Sequence, residues 1–239
     1  MRAIILIAKR ELAAYLRTMS GYVIGAVMLA LIGIFFVSQA MTVEARSSHV
    51  LGFFFQDAQA CTAGAAVFLS MRLFAEEHQL GTLPLLYSSA VRDYQMVLGK
   101  FLAAFAFLAL FLIASVYMPA LILVNGKVSI GHIAAGYFGL LLMGSGVLAI
   151  GTLGSALARS QVVAVIASAA MVVVLYTLVW VSGKVEHPVN EIISGLAYYP
   201  HFSAFESGLI HLRDVVYYLT VTYLALFAAT RVVEARRWR

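Results

Sequence analysis

The sequence predicts an all-α membrane protein that crosses the bilayer six times. Three observations carry this expectation. Only 11% of the 239 residues are charged and 63% are hydrophobic, whereas a soluble domain carries about 25% charged residues to cover its wet surface. The apolar residues fall into runs of about 20 or more, long enough for a hydrocarbon core of ~30 Å. The cations, finally, are distributed unevenly between the loops.

The predicted spans are Gly21–Val43, Leu51–Phe74, Phe101–Val124, Ile133–Ala158, Val162–Ser182 and Val215–Val233. An even number of crossings leaves both termini on one side. That side would hold Arg2, Lys9, Arg10, Arg17, Arg72, Arg92, Lys100, Arg159, Arg231, Arg236, Arg237 and Arg239, against Arg46, Lys127, Lys184 and Arg213 on the other. Positively charged loops stay in the cytoplasm, so the termini are expected inside. The net charge of +5 thus reflects membrane orientation, and nucleic acid is not an expected partner.

Residues 1–20 read as an interfacial helix. Ile4, Ile5, Ala8, Leu12, Tyr15 and Leu16 fall on one arc of ~120°, opposite Arg2, Lys9, Arg10 and Arg17, as suits a helix lying in the headgroup boundary. The first apolar run lacks a small-residue cleavage site, so no signal peptide is expected. Cys61, the single cysteine, lies within an apolar run, which leaves no role for disulfides.

Two further segments are too short to span. Residues 76–90 are mixed in character, with an apolar patch around Leu83, Leu85 and Leu86 beside charges; they are expected on the membrane surface or against a partner. Residues 183–214 contain Pro188 and Pro200, with Ile192, Ile193 and Leu196, then Phe202, Phe205 and Leu209, at helical spacing. They are expected to form an external hairpin of two short helices that shields Phe205 and Leu209.

Candidate chemistry is sparse. Gly99-Lys100, Gly126-Lys127 and Gly183-Lys184 are not followed by Ser or Thr, so no phosphate-binding loop exists and any ATP would be hydrolysed on another chain. Ser145, between Gly144 and Gly146, and His132 invite comparison with an intramembrane protease. The small residues Gly136, Gly139, Gly144, Gly146, Gly151 and Gly154 fit close helix packing instead. Asp57, flanked by Gln56 and Gln59, is either a helix-end carboxylate facing water or a residue of a transport pathway. His187, His201 and His211 lack the tight spacing of a metal site.

The segment from Arg72 to Lys100, RLFAEEHQLGTLPLLYSSAVRDYQMVLGK, resembles the cytoplasmic segment of ABC-2 type ABC transporter permeases. It is most similar to the group associated with gliding motility, whose run reads R-x-F-x-E-E-x-x-x-G-T-x-E-x-L-L and continues to V-x-G-K. Residues 11–22 and 201–217 resemble the approaches to that family's first and sixth spans. Pro84, Ala90 and Met19 depart from its pattern.

The resemblance implies a single transmembrane domain over residues 1–239 that serves as the permease subunit of an exporter in the bacterial inner membrane. ATP and Mg would sit on a separate ATP-binding subunit. A second permease chain, identical or related, would complete the membrane part, and a periplasmic or accessory membrane protein is a further candidate partner. Arg72, Glu76, Glu77, Gly81, Thr82, Leu83 and Leu86 would form the segment that couples to the ATPase. A non-transporting membrane scaffold and an intramembrane enzyme are the alternatives.

Overall fold

A computed structural model describes residues 2–42, 47–81, 92–125, 128–183 and 189–237. Among these the secondary structure is helical: α1 (Arg2–Arg17), α2 (Met19–Thr42), α3 (Ser47–Ser70), α4 (Ala75–Gln79), α5 (Asp93–Ala114), α6 (Tyr117–Asn125), α7 (Ile130–Leu157), α8 (Gln161–Ser182), α9 (Val189–Leu196), α10 (Ser203–Glu206) and α11 (Leu212–Arg237). Six helical stretches in the described residues are long and apolar enough to cross a membrane. In lipid this is the physical solution, since a helix satisfies its backbone internally.

Helix α7 is the hub, packed by α3, α5, α8 and α11. Its glycines explain how so many neighbours approach. A Cβ on Gly136 would meet Phe55, on Gly139 Phe205, on Gly146 Tyr198, on Gly151 Ser70 and on Gly154 Ser168, each at 2.5 Å or less. Without a hydrophobic drive between helices in lipid, such close packing supplies the cohesion. Helices α3 and α7 are the interior ones, while α2, α8 and α11 face largely outward.

Local caps set several ends. Ser129 Oγ accepts the His132 N–H at 3.2 Å to start α7, and Ser160 Oγ accepts from Val163 N–H at 3.4 Å to start α8, the usual N-cap arrangement. The Arg236 guanidinium donates to the Leu157 carbonyl at 2.7 Å and the Ala158 carbonyl at 3.4 Å. It places a cation on the orphan acceptors at the end of α7.

The elements depart from expectation at four places. The third span starts at Asp93 and breaks after Ala114, with α6 resuming at Tyr117. Pro119 has no N–H to offer the Ser115 carbonyl and its ring crowds that carbonyl, so a continuous helix is disfavoured there. The second span stops at Ser70, and residues 71–74 turn before α4. Helix α1 packs against α5 through Ile4 and Ile7, which meet Gly99, and Tyr15 is buried, whereas Ile5 and Leu16 face outward. Its inward face therefore lies partly on protein.

At the other end, α9 and α10 supply the two short helices of residues 183–214. Phe202 and Phe205 are fully buried, but the protein leaves Leu209 exposed. Gly208, at φ +79°, closes α10 in a left-handed turn, with Gly208 N–H donating to Phe205 O at 3.0 Å and Leu209 N–H to Ala204 O at 2.9 Å. This double bond is the Schellman pattern, and it swings Leu209 off the face that Phe202 and Phe205 share.

Candidate functional site

The end of α3, helix α4, the start of α5 and helix α1 converge on a charged cluster. The chain must break its helix at residues 71–74, and the freed backbone groups are claimed from outside. Ser155 Oγ on α7 accepts both the Phe74 and the Ala75 N–H at 3.1 Å and donates to the Met71 carbonyl at 3.2 Å. Tyr15 on α1 donates to the Leu69 carbonyl at 3.0 Å. Burial raises the Tyr15 phenol above its ordinary value, which keeps that proton in place.

From this pinned turn two ion pairs extend. Arg72 grips Glu76 with Nε and Nη2 at 2.7 and 3.1 Å. Its remaining nitrogen reaches Thr18 at 3.3 Å and, closer still, Ser20, at the junction of α1 and α2. Lys100 on α5 is only 2% exposed; its Nζ lies 2.8 Å from Glu77 and 3.5 Å from Glu11, and 5.5 Å above the Phe74 ring. A cation so buried must be matched by carboxylates, and here the two come from different helices. Glu11, Tyr15, Thr18, Arg72, Glu76, Glu77 and Lys100 border a cleft of about 300 Å³.

Of the residues expected to couple, Arg72, Glu76 and Glu77 therefore stand in one network. Gly81 lies two residues past α4 at φ +68°, a position that favours glycine. Thr82, Leu83 and Leu86 lie outside the described residues. Sequence reasoning missed Glu11, Tyr15 and Ser155. A lone acid on the inward face of an amphipathic helix was the available signal for Glu11; a serine two residues from Leu157 gives none.

Asp57 stands apart, 15 residues before Arg72 along α3 and its exit, or ~22 Å at helical rise. It accepts a hydrogen bond from the Gln39 side chain of α2. Its neighbours Gln56 and Gln59 donate to Tyr199 at 3.4 Å and Tyr176 at 3.1 Å. Ser145 donates to the Leu142 carbonyl at 2.6 Å and meets Thr222 at 3.2 Å, while His132 Nε2 faces the Glu206 carbonyl at 2.7 Å. Ser145 and His132 are thirteen positions apart on α7, ~20 Å of helix, so the protease pairing is not assembled.

The opposite end of the bundle is plugged by α9, α10 and the chain between them. Tyr198 donates to the Met143 carbonyl at 2.6 Å and Tyr218 to the Tyr198 carbonyl at 3.1 Å. His201 contacts Asp214 at 2.6 Å and the Gly195 carbonyl at 3.2 Å, stacked 3.9 Å from Tyr217. Among the described residues no group of His, Cys, Asp or Glu could hold a metal ion.

Comparison with protein families finds one described as "ABC-2 family transporter protein", whose model matches residues 5–233. No curated protein matches the chain significantly.

Proposed function

The chain belongs to the ABC-2 family of transporter membrane proteins, a multi-pass permease subunit of an ABC transporter, and from that premise we propose how it is driven. Families of this kind work with an ATP-binding subunit and in a dimeric arrangement. We assign ATP and Mg to that partner. The segment from Arg72 to Leu86 is its docking and coupling element, with Glu76, Glu77 and Gly81 shaping its near end and Thr82, Leu83 and Leu86 its far end.

One observation carries the reading: α4 is tied at once to four other helices through three sets of contacts. Arg72–Glu76 anchors it to the α1–α2 junction, Glu77–Lys100–Glu11 to α5 and α1, and Ser155 to α7. A displacement imposed on α4 by ATP-driven closure of the partner is therefore passed to the second and third spans instead of being absorbed locally. Packed and ion-paired elements of this kind have discrete arrangements, as a switching transition needs.

The remaining assignments follow the charge bias and the family resemblance: a bacterial inner membrane, both termini cytoplasmic, export as the direction, and relatives of gliding-motility permeases as the nearest group. The plugged end formed by α9 and α10 then faces outward and closes the exit.

The test is ATP hydrolysis by the reconstituted complex. Gly81→Val and Glu77→Lys should leave the chain inserted, yet lower permease-stimulated hydrolysis several-fold or weaken recovery of the ATP-binding subunit. Unchanged stimulation and unchanged recovery in both variants would remove the coupling assignment.

A further inference from the structure

Helix α4 also packs against a corner of the bundle. Ala75, its first residue, is buried against Ala158 and Ala164, where α7 ends and α8 begins, with Met71 on the same cluster. None of the three alanines exposes more than 3% of its surface, so a movement of α4 meets a close-packed contact. The sixth span grips that same corner: Arg236 of α11 donates to the Leu157 and Ala158 carbonyls.

The other end of α11 holds the outer plug. Asp214 meets His201, Tyr217 donates to the Leu196 carbonyl at 2.7 Å, and Tyr218 donates to the Tyr198 carbonyl. Asp214 and Arg236 are 22 residues apart on one helix, about six turns and ~33 Å, so they share a face. Tyr218, Ala225, Ala229 and Val233, all buried, follow the same stripe, and α7 is the main neighbour of α11.

Neither glycine nor proline interrupts α11, whereas the second and third spans break at residues 71–74 and near Pro119. Helices bend at such interruptions, and α11 has none to absorb a displacement. Much of its surface is turned away from the bundle, as suits a helix that slides along its neighbour in shear. We propose that α11 carries the stroke of the docking element to the outer plug. Arg236 is the positioning residue at its inner end and Asp214 the one at its outer end. This rests on the coupling reading above and adds to it a sixth-span route and a destination.

The test is hydrogen–deuterium exchange of residues 195–207, read by mass spectrometry in the complex reconstituted with its ATP-binding subunit, with and without ATP plus vanadate. Trapping should speed exchange there at least about fivefold, the lower end of coupling between separated sites. Arg236→Gln should remove that response while permease-stimulated hydrolysis stays close to the parent's. Arg236→Lys, which keeps the charge, should restore most of it. Glu77→Lys should lose stimulation and response together, so a failed docking assignment is told apart from a failed route. A disulfide between Ser145→Cys and Thr222→Cys, made with Cys61→Ser, ties α11 to α7 where the two hydroxyls lie 3.2 Å apart. Once formed it should abolish the response, and reduction should return it, which a misfolded variant would not do. A parent-like response in Arg236→Gln or in the cross-linked protein would overturn the proposal. So would stimulated hydrolysis in the parent with no change of exchange in the plug.

Discussion

Replacing Lys100 with methionine removes the ammonium while keeping most of the side chain's volume. Its Nζ lies 2.8 Å from Glu77 and 3.5 Å from Glu11. At an effective dielectric of ~20 these separations correspond to about 6 and 5 kcal/mol of direct attraction. Desolvation of several kcal/mol per ion cancels most of that in the intact cluster. The variant loses the attraction and takes from Glu77 and Glu11 their shared cation, though Glu11 keeps Arg10 at 3.0 Å; such a loss costs ~3–5 kcal/mol when partners are fully buried. Glu77 and Glu11 each keep 18% of their side-chain surface exposed, so water tempers the penalty and about 3 kcal/mol is expected. Lys100→Met combined with Glu77→Gln removes the nearer charge along with its partner, and should recover about 2 kcal/mol of the loss. Equilibrium unfolding in mixed micelles, followed by far-ultraviolet circular dichroism as the dodecyl sulfate fraction rises, measures both variants and the two singles. Additive losses within about 0.5 kcal/mol would show that Lys100 and Glu77 do not depend on each other, and the transmission argument would fail with them.

Four other outcomes are expected. Ser155→Ala strands the buried N–H groups of Phe74 and Ala75, so it should cost about 3 kcal/mol in the same unfolding assay; a loss under about 1 kcal/mol would mean the break is held by other means. Gly151→Val drives a side chain into Ser70 and should cost about 2 kcal/mol more than Gly64→Val, where the space is open; equal effects would contradict the packing at the hub. Burial raises the Glu206 carboxyl above its ordinary value. Ionisation therefore opposes the fold: this stability is full below the ordinary carboxylate range and is lost as pH rises through the raised value. Melting from mildly acidic to neutral pH should show that loss, and Glu206→Gln should flatten it; an unchanged slope would assign the dependence elsewhere. With Cys61 replaced by serine, a cysteine at Ser207 should react with an impermeant thiol reagent added outside, and one at Arg159 only after permeabilisation; the reverse pattern would invert the orientation.

How far the site could be read from sequence differs residue by residue. Arg72 and Glu76 are only four apart and pair across the turn that leads into α4, so their pairing is local in sequence, and the motif drew attention to Glu77. Their joint meaning was not local. Glu77 and Lys100 are 23 residues apart, and Lys100 and Glu11 lie on helices that the sequence does not oblige to touch. The external hairpin divides likewise: the spacing of Phe202 and Phe205 announced a buried face, but the left-handed turn at Gly208 took Leu209 away from it.

The sequence by itself determined the spans, because crossing lipid depends on a sum of local hydropathies and on a helix satisfying its own backbone. It also determined the one-sided character of α1 and the glycine-rich closeness of α7. Only the tertiary structure decided where helices stop inside those apolar runs, which partners claim the freed backbone groups, and which charges meet. Each of those choices compares hydrogen bonds and ion pairs between elements distant in sequence. Composition and period carry no term for them: Ser155 becomes the brace of the second span only once α7 lies beside it.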